Sequence, residues 1–462
     1  MYRKITILGL LALFMLGSGF GCQLKNKQVK QATKPITLVF WSVYDNVNAY
    51  QPIIKQYEAI HPNVTIEYHK YLYGEYENQL LNAFAEDRGP DIFSIQNTWV
   101  KKYQPKLAPM PPTTTLAYPV TSTGFKKTVT YQMQTKRTLS IQDLKNNFVD
   151  VVGHDVVLNG HIYGLPLAID TLAMYYNKDL FNNAGISEPP RYWNNEFLQD
   201  VKKLTIQDPK RGLTQSGVAL GGSTNINRFS DILSVLMIQN GATMMDGNDQ
   251  IVFNQSINDG HGNQYNPGLE ALTFYTDFAN SSKDSYSWND SLPNSLNMFI
   301  SGQLAIMFDY SYDLAAIKTR APKLNFSIAP LPQIEGTPPT NINFANYWIQ
   351  AVSKKSAHQN EAWDFIQFMT SAKEAKSYLQ TTGHPTALRS LIQWQENQNN
   401  EVSVFASEAL TAKSWYIGDN EQAAEDAIAN MIKEVEKNPG ANLVPIINTA
   451  AAQVQQTINS GG

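Results

Sequence analysis

Residues 36–95 read ITLVFWSVYDNVNAYQPIIKQYEAIHPNVTIEYHKYLYGEYENQLLNAFAEDRGPDIFSI, and this stretch decides the fold class. ITLVFW (36–41) is a short apolar run of strand length. Ile53, Ile54, Tyr57 and Ile60 then recur at helical spacing until His61-Pro62 closes the helix. VTIEY (64–68) alternates as a strand does, Tyr76, Leu80 and Phe84 form a second helical stripe, and DIFSI (91–95) follows the Gly89-Pro90 turn. Strand, helix, strand, helix, strand at this spacing predicts an α/β domain, a parallel sheet with helices packed on its faces. Ligands of such sheets bind beyond the carboxyl ends of the strands. Those ends carry Trp41, Tyr44 and Asp45, then Tyr73, then Asn97 and Trp99, so each offers an aromatic ring, a polar side chain or both.

Outside this stretch the N-terminus reads as an export signal. Arg3 and Lys4 precede an apolar core from Ile5 to Leu16, too short for a confident membrane span. LGSGFGC, ending at Cys22, resembles a bacterial lipobox, with Gly19 and Phe20 departing from its pattern. The alternative is an ordinary signal peptide with an incidental cysteine. Cys22 is the sole cysteine, so it has no internal disulfide partner, and lipid attachment is its simplest use. The segment 23–35, QLKNKQVKQATKP, reads as a flexible tether. Loss of Arg3 and Lys4 takes the formal net charge from −4 to −6, which gives no sign of nucleic acid or an anionic membrane surface as partner. About 440 remaining residues exceed a single core, and two domains are expected.

Several further stretches, in order, carry a family resemblance. They are FWSVYD, YEAIHPNVTIEY, RGPDIFSIQNTWV, GHIYGLPLAIDTLAMYYNKDLF, MFISGQLAIMFDYSYD, IAPLP, YWIQAVSKKSAHQNEAWDFIQFMTS and TTGHPTAL. The chain resembles the extracellular solute-binding proteins of the sugar-binding class that serve bacterial ABC importers. The resemblance implies two α/β lobes, each a mainly parallel sheet flanked by helices, joined by crossing strands, with the solute held in the cleft between them. It implies a first lobe of 36–165 and 309–355, with 111–140 as an inserted loop or hairpin, and a second lobe of 166–308 and 356–462. It also places Asp170 on a crossing strand at the cleft floor, with Asp309 and Tyr310 facing the same cleft. An acid buried by a basic partner or capping a turn is the other reading of Asp170. The implied partners are a small-molecule solute, most simply a mono- or oligosaccharide, and a membrane permease. The membrane is met through the N-terminal lipid alone, and the protein is expected to be monomeric, exported and free of cofactors. Ligand-driven closure of the lobes would change the radius of gyration.

A sugar pocket needs aromatic platforms for C–H faces and short polar acceptors for hydroxyls. With 23 Tyr and 8 Trp the chain is rich in the first. Trp41, Tyr44, Trp99, Tyr310, Tyr347 and Trp348 stand at strand ends, Trp193 and Asn225 are candidate second-lobe contacts, and Trp415 in TAKSWYIGD is a candidate lid residue. Trp363 and Phe368 accompany the buried stripe Ala362, Phe365, Ile366 and Met369 and read as packing. Asp246, Asn248 and Asp249 in MMDGNDQIVF lack the rest of a calcium loop and read as a hairpin turn. A carbohydrate-active hydrolase is the competing class, with Asp45, Asp170 and Asp309 as proposable carboxylates. The sequence pairs none of them and contains no HExxH, GxSxG or phosphate-binding glycine loop. A surface adhesin or scaffold with a degenerate pocket is the third reading.

Overall fold

The computed structural model describes residues 27, 29–123, 127–258, 262–336 and 341–458. The export signal and Cys22 lie outside the described residues. Within the expected tether, residues 29–33 turn helically, with the Thr33 amide on the Val29 carbonyl at 3.0 Å. Asn63 holds the end of that turn through the Ala32 carbonyl at 3.1 Å.

The chain groups into two compact units. The first takes the chain to Ser94, Lys106–Ser140 and Gln350–Thr381. Its sheet contains β1 (Ile36–Val43), β2 (Val64–Tyr71), β3 (Ile92–Gln96) and β4 (Leu107–Ala108), in the order β2, β1, β3, Trp348–Ser353, β4. β1 is parallel to both β2 and β3, with Ile36 beside Val64 and Phe40 beside Ile92. Leu38 and Phe40 of β1 and Ile53 and Tyr57 of the helix Val47–Ile60 are fully buried, so the sequence stripes mark the packed faces. The helix Gln359–Met369 sets Phe365 against Tyr57 at 5.0 Å. Trp363 is buried on that helix, and Phe368 packs 5.4 Å from Tyr57. The expected insertion is a hairpin of two 11-residue strands, β5 (Thr113–Thr123) and β6 (Lys127–Arg137).

The second unit comprises Ile95–Pro105, Ile141–Ile349 and the chain from Thr382 onward. Its main sheet runs Ile206–Asp208, Gly212–Val218, Leu304–Asp309, Ala173–Asn177, Phe326–Pro330. A mainly parallel sheet was expected here; of these neighbours only Gly212–Val218 and Leu304–Asp309 run parallel. Ala173–Asn177 lies antiparallel between two strands that follow it by more than a hundred residues, a long-range pairing that local periodicity does not encode. Phe197, Val201 and Leu204 are fully buried on the helix Asn195–Leu204, whose N-cap Asn194 accepts from the Glu196 and Phe197 amides. Met245 bridges Ile251 around a turn in which Asp246 Oδ1 accepts the Asn248 and Gln250 amides at 2.8 and 2.9 Å.

Boundaries differ from those drawn on the sequence. Residues 309–349 belong with the second unit because Leu304–Asp309 and Phe326–Pro330 both pair with Ala173–Asn177. Residues 356–381 belong with the first because Phe365 packs onto its core.

Candidate functional site

In the first unit, parallel pairing of β1 and β2 brings their carboxyl ends, Val43 and Tyr71, side by side. Tyr44 follows β1 and Tyr73 opens the next helix, and their rings stack at 5.9 Å and 19°. Both stay open to solvent, 55% and 49% exposed. Tyr44 has φ 62, a left-handed conformation that costs a residue with a Cβ roughly 1–2 kcal/mol. The strain is held in place by Asp45, whose amide donates to the Val43 carbonyl at 2.7 Å. The Asp45 carbonyl and carboxylate accept from the Tyr68 and Tyr378 hydroxyls, each at 2.6 Å. Trp41 and Tyr71 pack at 4.5 Å beside this pair. Trp41, Tyr44, Asp45 and Tyr73, all read from strand ends, are thus brought together on one sheet edge.

The second unit carries an open concavity lined among others by Thr98, Asp231, Ser234, Trp415, Glu421 and Glu425. Arg228 anchors its charged wall, donating from Nε and Nη2 to Asp231 Oδ2 at 2.9 and 2.6 Å. Its Nη2 lies 3.6 Å from Glu425. The Tyr310 hydroxyl donates to the same Asp231 oxygen at 2.7 Å, and its ring lies 5.8 Å from the guanidinium carbon. On the other side Trp99 donates its indole N–H to Glu421 at 2.8 Å. Burial, followed by the nearby Glu425 charge, pushes the Glu421 carboxyl up to about 7. Trp348 meets Trp99 edge-on at 5.7 Å, and Trp415 donates to Ser234 at 3.0 Å. Indole rings, hydroxyls and carboxyls converge here, which is the donor and acceptor set that a polyol needs.

A family model for bacterial extracellular solute-binding proteins matches residues 43–376. The chain belongs to this family. A binding protein of Brucella abortus is 26% identical over 253 residues, 52% of this chain and 54% of that one, so the chain spans about half the length of the first curated relatives it matches. The multiple sugar-binding protein of Streptococcus mutans is 22% identical over 301 residues, 64% of this chain and 66% of that one. Among solved structures, the cyclic α-maltosyl-1,6-maltose binding protein of Arthrobacter globiformis shares the fold with a TM-score of 0.71 at 18% identity. That match covers 92% of this chain and all of that one.

The remaining residues singled out in this solute-binding protein sit inside the second unit's polar and apolar framework. Asn97 and Tyr347 both donate to Asp155 Oδ2, at 2.9 and 2.7 Å, and Ser414 and His154 bind its other oxygen. Asp155 organises this knot, and nothing in its DVVGHDV context singled it out. Asp170 accepts from the Thr171 amide at 3.0 Å and from the Ser311 amide and hydroxyl at 3.1 and 2.7 Å. Burial pushes its carboxyl up to about 6, against the pull of those hydrogen bonds and of the His384 charge. The acid that looked isolated in an apolar run is therefore tied to the turn at Ser311. Asp309 is buried, accepts the Tyr310 amide at 2.9 Å, and is held well above the usual carboxylate range by burial and by Asp313.

Two further candidates make contacts within their own unit. Trp193 packs against Phe197, Phe308 and Phe274 and donates to Gln239 at 2.8 Å, its ring partly buried against the core. Asn225 is spent on structure, donating to the Asn289 and Leu292 carbonyls and accepting from Trp288 at 2.7 Å. Sequence reading missed Arg228, Asp231 and Glu421. The visible signal was Arg228 and Asp231, opposite charges three apart at the head of the apolar run ILSVLMI.

Proposed function

We propose that the protein captures a carbohydrate, a mono- or oligosaccharide, outside the cytoplasmic membrane and delivers it to an ABC import permease without chemical turnover. The observation that carries this reading is the Tyr44–Tyr73 stack, two half-exposed rings at adjacent strand ends with Tyr44 held in a strained backbone. A folded protein keeps such a ring exposed and strained at a cost that core packing does not return, whereas a sugar face would cover it. The second unit's concavity, lined by Trp415, Asp231 and by Glu421, which holds the Trp99 indole, supplies matching chemistry. The sugar-binding role of the Streptococcus mutans relative supports the ligand class.

Thermal shift over a sugar library tests it, since a ligand bound only by the folded state raises the melting temperature with concentration. Tyr44→Gly and Tyr73→Ala should each weaken the selected sugar roughly ten- to a hundredfold, the loss of about 1–3 kcal/mol of stacking and buried area. Tyr44→Gly should at the same time hold or raise unfolding stability by about 1 kcal/mol, because glycine accepts positive φ freely. Unchanged affinity in both variants would remove the platform from the binding role. Incubation of the selected glycan with the protein should leave it intact; products would make the protein an enzyme.

The same proposal makes Cys22 the lipid-bearing N-terminus of the mature chain. Cys22→Ser should release the protein from the membrane fraction and change its processing. A variant that stays membrane-bound with the same N-terminus would refute the anchor. Among the described residues no helix is long and apolar enough to cross a membrane.

A further inference from the structure

Asp155 gathers four polar groups on one carboxylate. It stands on the helix Asp150–Val156, where Val151, Val152 and Val156 are buried, and is itself only 4% exposed. Its Oδ2 accepts from Asn97 Nδ2 at 2.9 Å and from the Tyr347 hydroxyl at 2.7 Å. Its Oδ1 accepts from the Ser414 hydroxyl and meets Nδ1 of the half-exposed His154 at 2.9 Å. An ionised carboxylate has two acceptor oxygens with about four lone-pair sites, so one side chain serves all four groups; a side-chain amide has a single acceptor oxygen and serves about two.

Three of these groups arrive from separate segments, 58, 192 and 259 positions away. Each segment gives the concavity the residue next to its anchor: Thr98 follows Asn97, Asn346 precedes Tyr347, and Trp415 follows Ser414. Each also carries an indole within two positions of that anchor, namely Trp99, Trp348 and Trp415. The first two segments are tied a second time, the Asn97 amide donating to the Tyr347 carbonyl at 3.0 Å, and their indoles meet edge-on. The Trp99 and Trp415 N–H groups then reach Glu421 and Ser234, which line the same concavity. An apolar side chain would pack three segments together without fixing their direction. Directional hydrogen bonds to one buried carboxylate fix both, and a binding site needs its rings held in one geometry.

We propose that Asp155 is a positioning residue for solute capture: acting through Asn97, Tyr347 and Ser414, it sets Trp99, Trp348 and Trp415 in the arrangement that receives the solute. This rests on the sugar reading above, and its test reads the indoles separately from the sugar. The sample is the full chain labelled with 5-fluorotryptophan, whose eight fluorine lines are assigned by single Trp→Phe variants. Asp155→Asn keeps the shape and one acceptor oxygen, enough for about two of the four groups. In that variant the lines of Trp99, Trp348 and Trp415 should shift or broaden, while those of Trp41, Trp193, Trp288, Trp363 and Trp394 stay in place. Ser414→Ala should move the Trp415 line alone, and Tyr347→Phe those of Trp348 and Trp99. Titration with glucose, maltose and maltotriose follows, and Asp155→Asn should weaken whichever of them the parent binds at least tenfold. Eight unmoved lines in Asp155→Asn overturn the proposal, and so do eight lines displaced together, which would mean a general loss of structure. Three displaced lines with unchanged sugar affinity overturn it as well. A parent that binds none of the three sugars strikes the sugar reading and with it the role in capture, while the fluorine lines still decide whether Asp155 positions the indoles.

Discussion

Arg228→Met should lower the unfolding free energy by about 3–5 kcal/mol, the cost of removing one partner from a buried ion pair. Arg228 and Asp231 have side chains only 25% and 10% exposed, so solvent screens their attraction weakly. Without the guanidinium, Asp231 keeps the Tyr310 hydroxyl, and Glu425 keeps Ser230 at 3.0 Å. Two carboxylates that lined a compensated wall then face each other's charge without the cation that stood between them. The double variant Arg228→Met/Asp231→Asn should recover part of the loss, since it removes the stranded charge with its partner. Urea midpoints for the single and double variants decide this. A single variant within about 1 kcal/mol of the parent would show that the pair is as weak as an exposed one.

Stability should also fall as pH rises from about 4.5 to 7, and Glu421 should carry a recognisable share of that fall. Its carboxyl is raised in the folded state from 4.5 to about 7, so the folded protein holds the proton more tightly than the unfolded chain does. The resulting stabilisation is fully present below the unfolded value and is lost as pH climbs through 7. Each tenfold gain in proton affinity is worth about 1.4 kcal/mol, so the loss from this group reaches roughly 3 kcal/mol. Asp170, raised to about 6, adds to the same trend over the lower part of the window. Glu421→Gln keeps an acceptor for the Trp99 indole and does not titrate, so its urea midpoint should change less between pH 5 and 8 than the parent's. Coincident pH curves for the two proteins would mean that Glu421 titrates normally. The indole is held by this carboxyl, so sugar affinity should follow the same pH window if Trp99 stacks on the ligand.

Much of the first unit's aromatic strand-end cluster was legible because it is local. A parallel strand ends where its apolar run ends, so Trp41, Tyr44, Asp45 and Tyr73 could be placed at strand tips from residues 36–95 alone. Their grouping then followed from β1–β2 pairing in register. The second unit was less readable. Trp193 and Asn225 have the residue types of a sugar site, yet one packs partly buried against phenylalanines and the other closes three hydrogen bonds within its own unit. Arg228 and Asp231 are nearly two hundred residues from Glu421, and Asp155 gathers Asn97, Tyr347 and Ser414 across 58, 192 and 259 positions.

The sequence by itself determined the α/β class, the family, the packed faces of the helices and the aromatic strand ends, because each is written in periodicity over ten or so residues or in ordered short motifs. Only the tertiary structure decided which unit each later strand joins, that the second sheet is mostly antiparallel, and which acids are bound internally. An apolar run such as LAIMFD packs equally well in either sheet, so its neighbour is chosen by the register and shape of distant strands. A carboxylate's partners are likewise set in space: Asp170 meets Ser311 across 141 positions, and no pattern within its own segment encodes that distance.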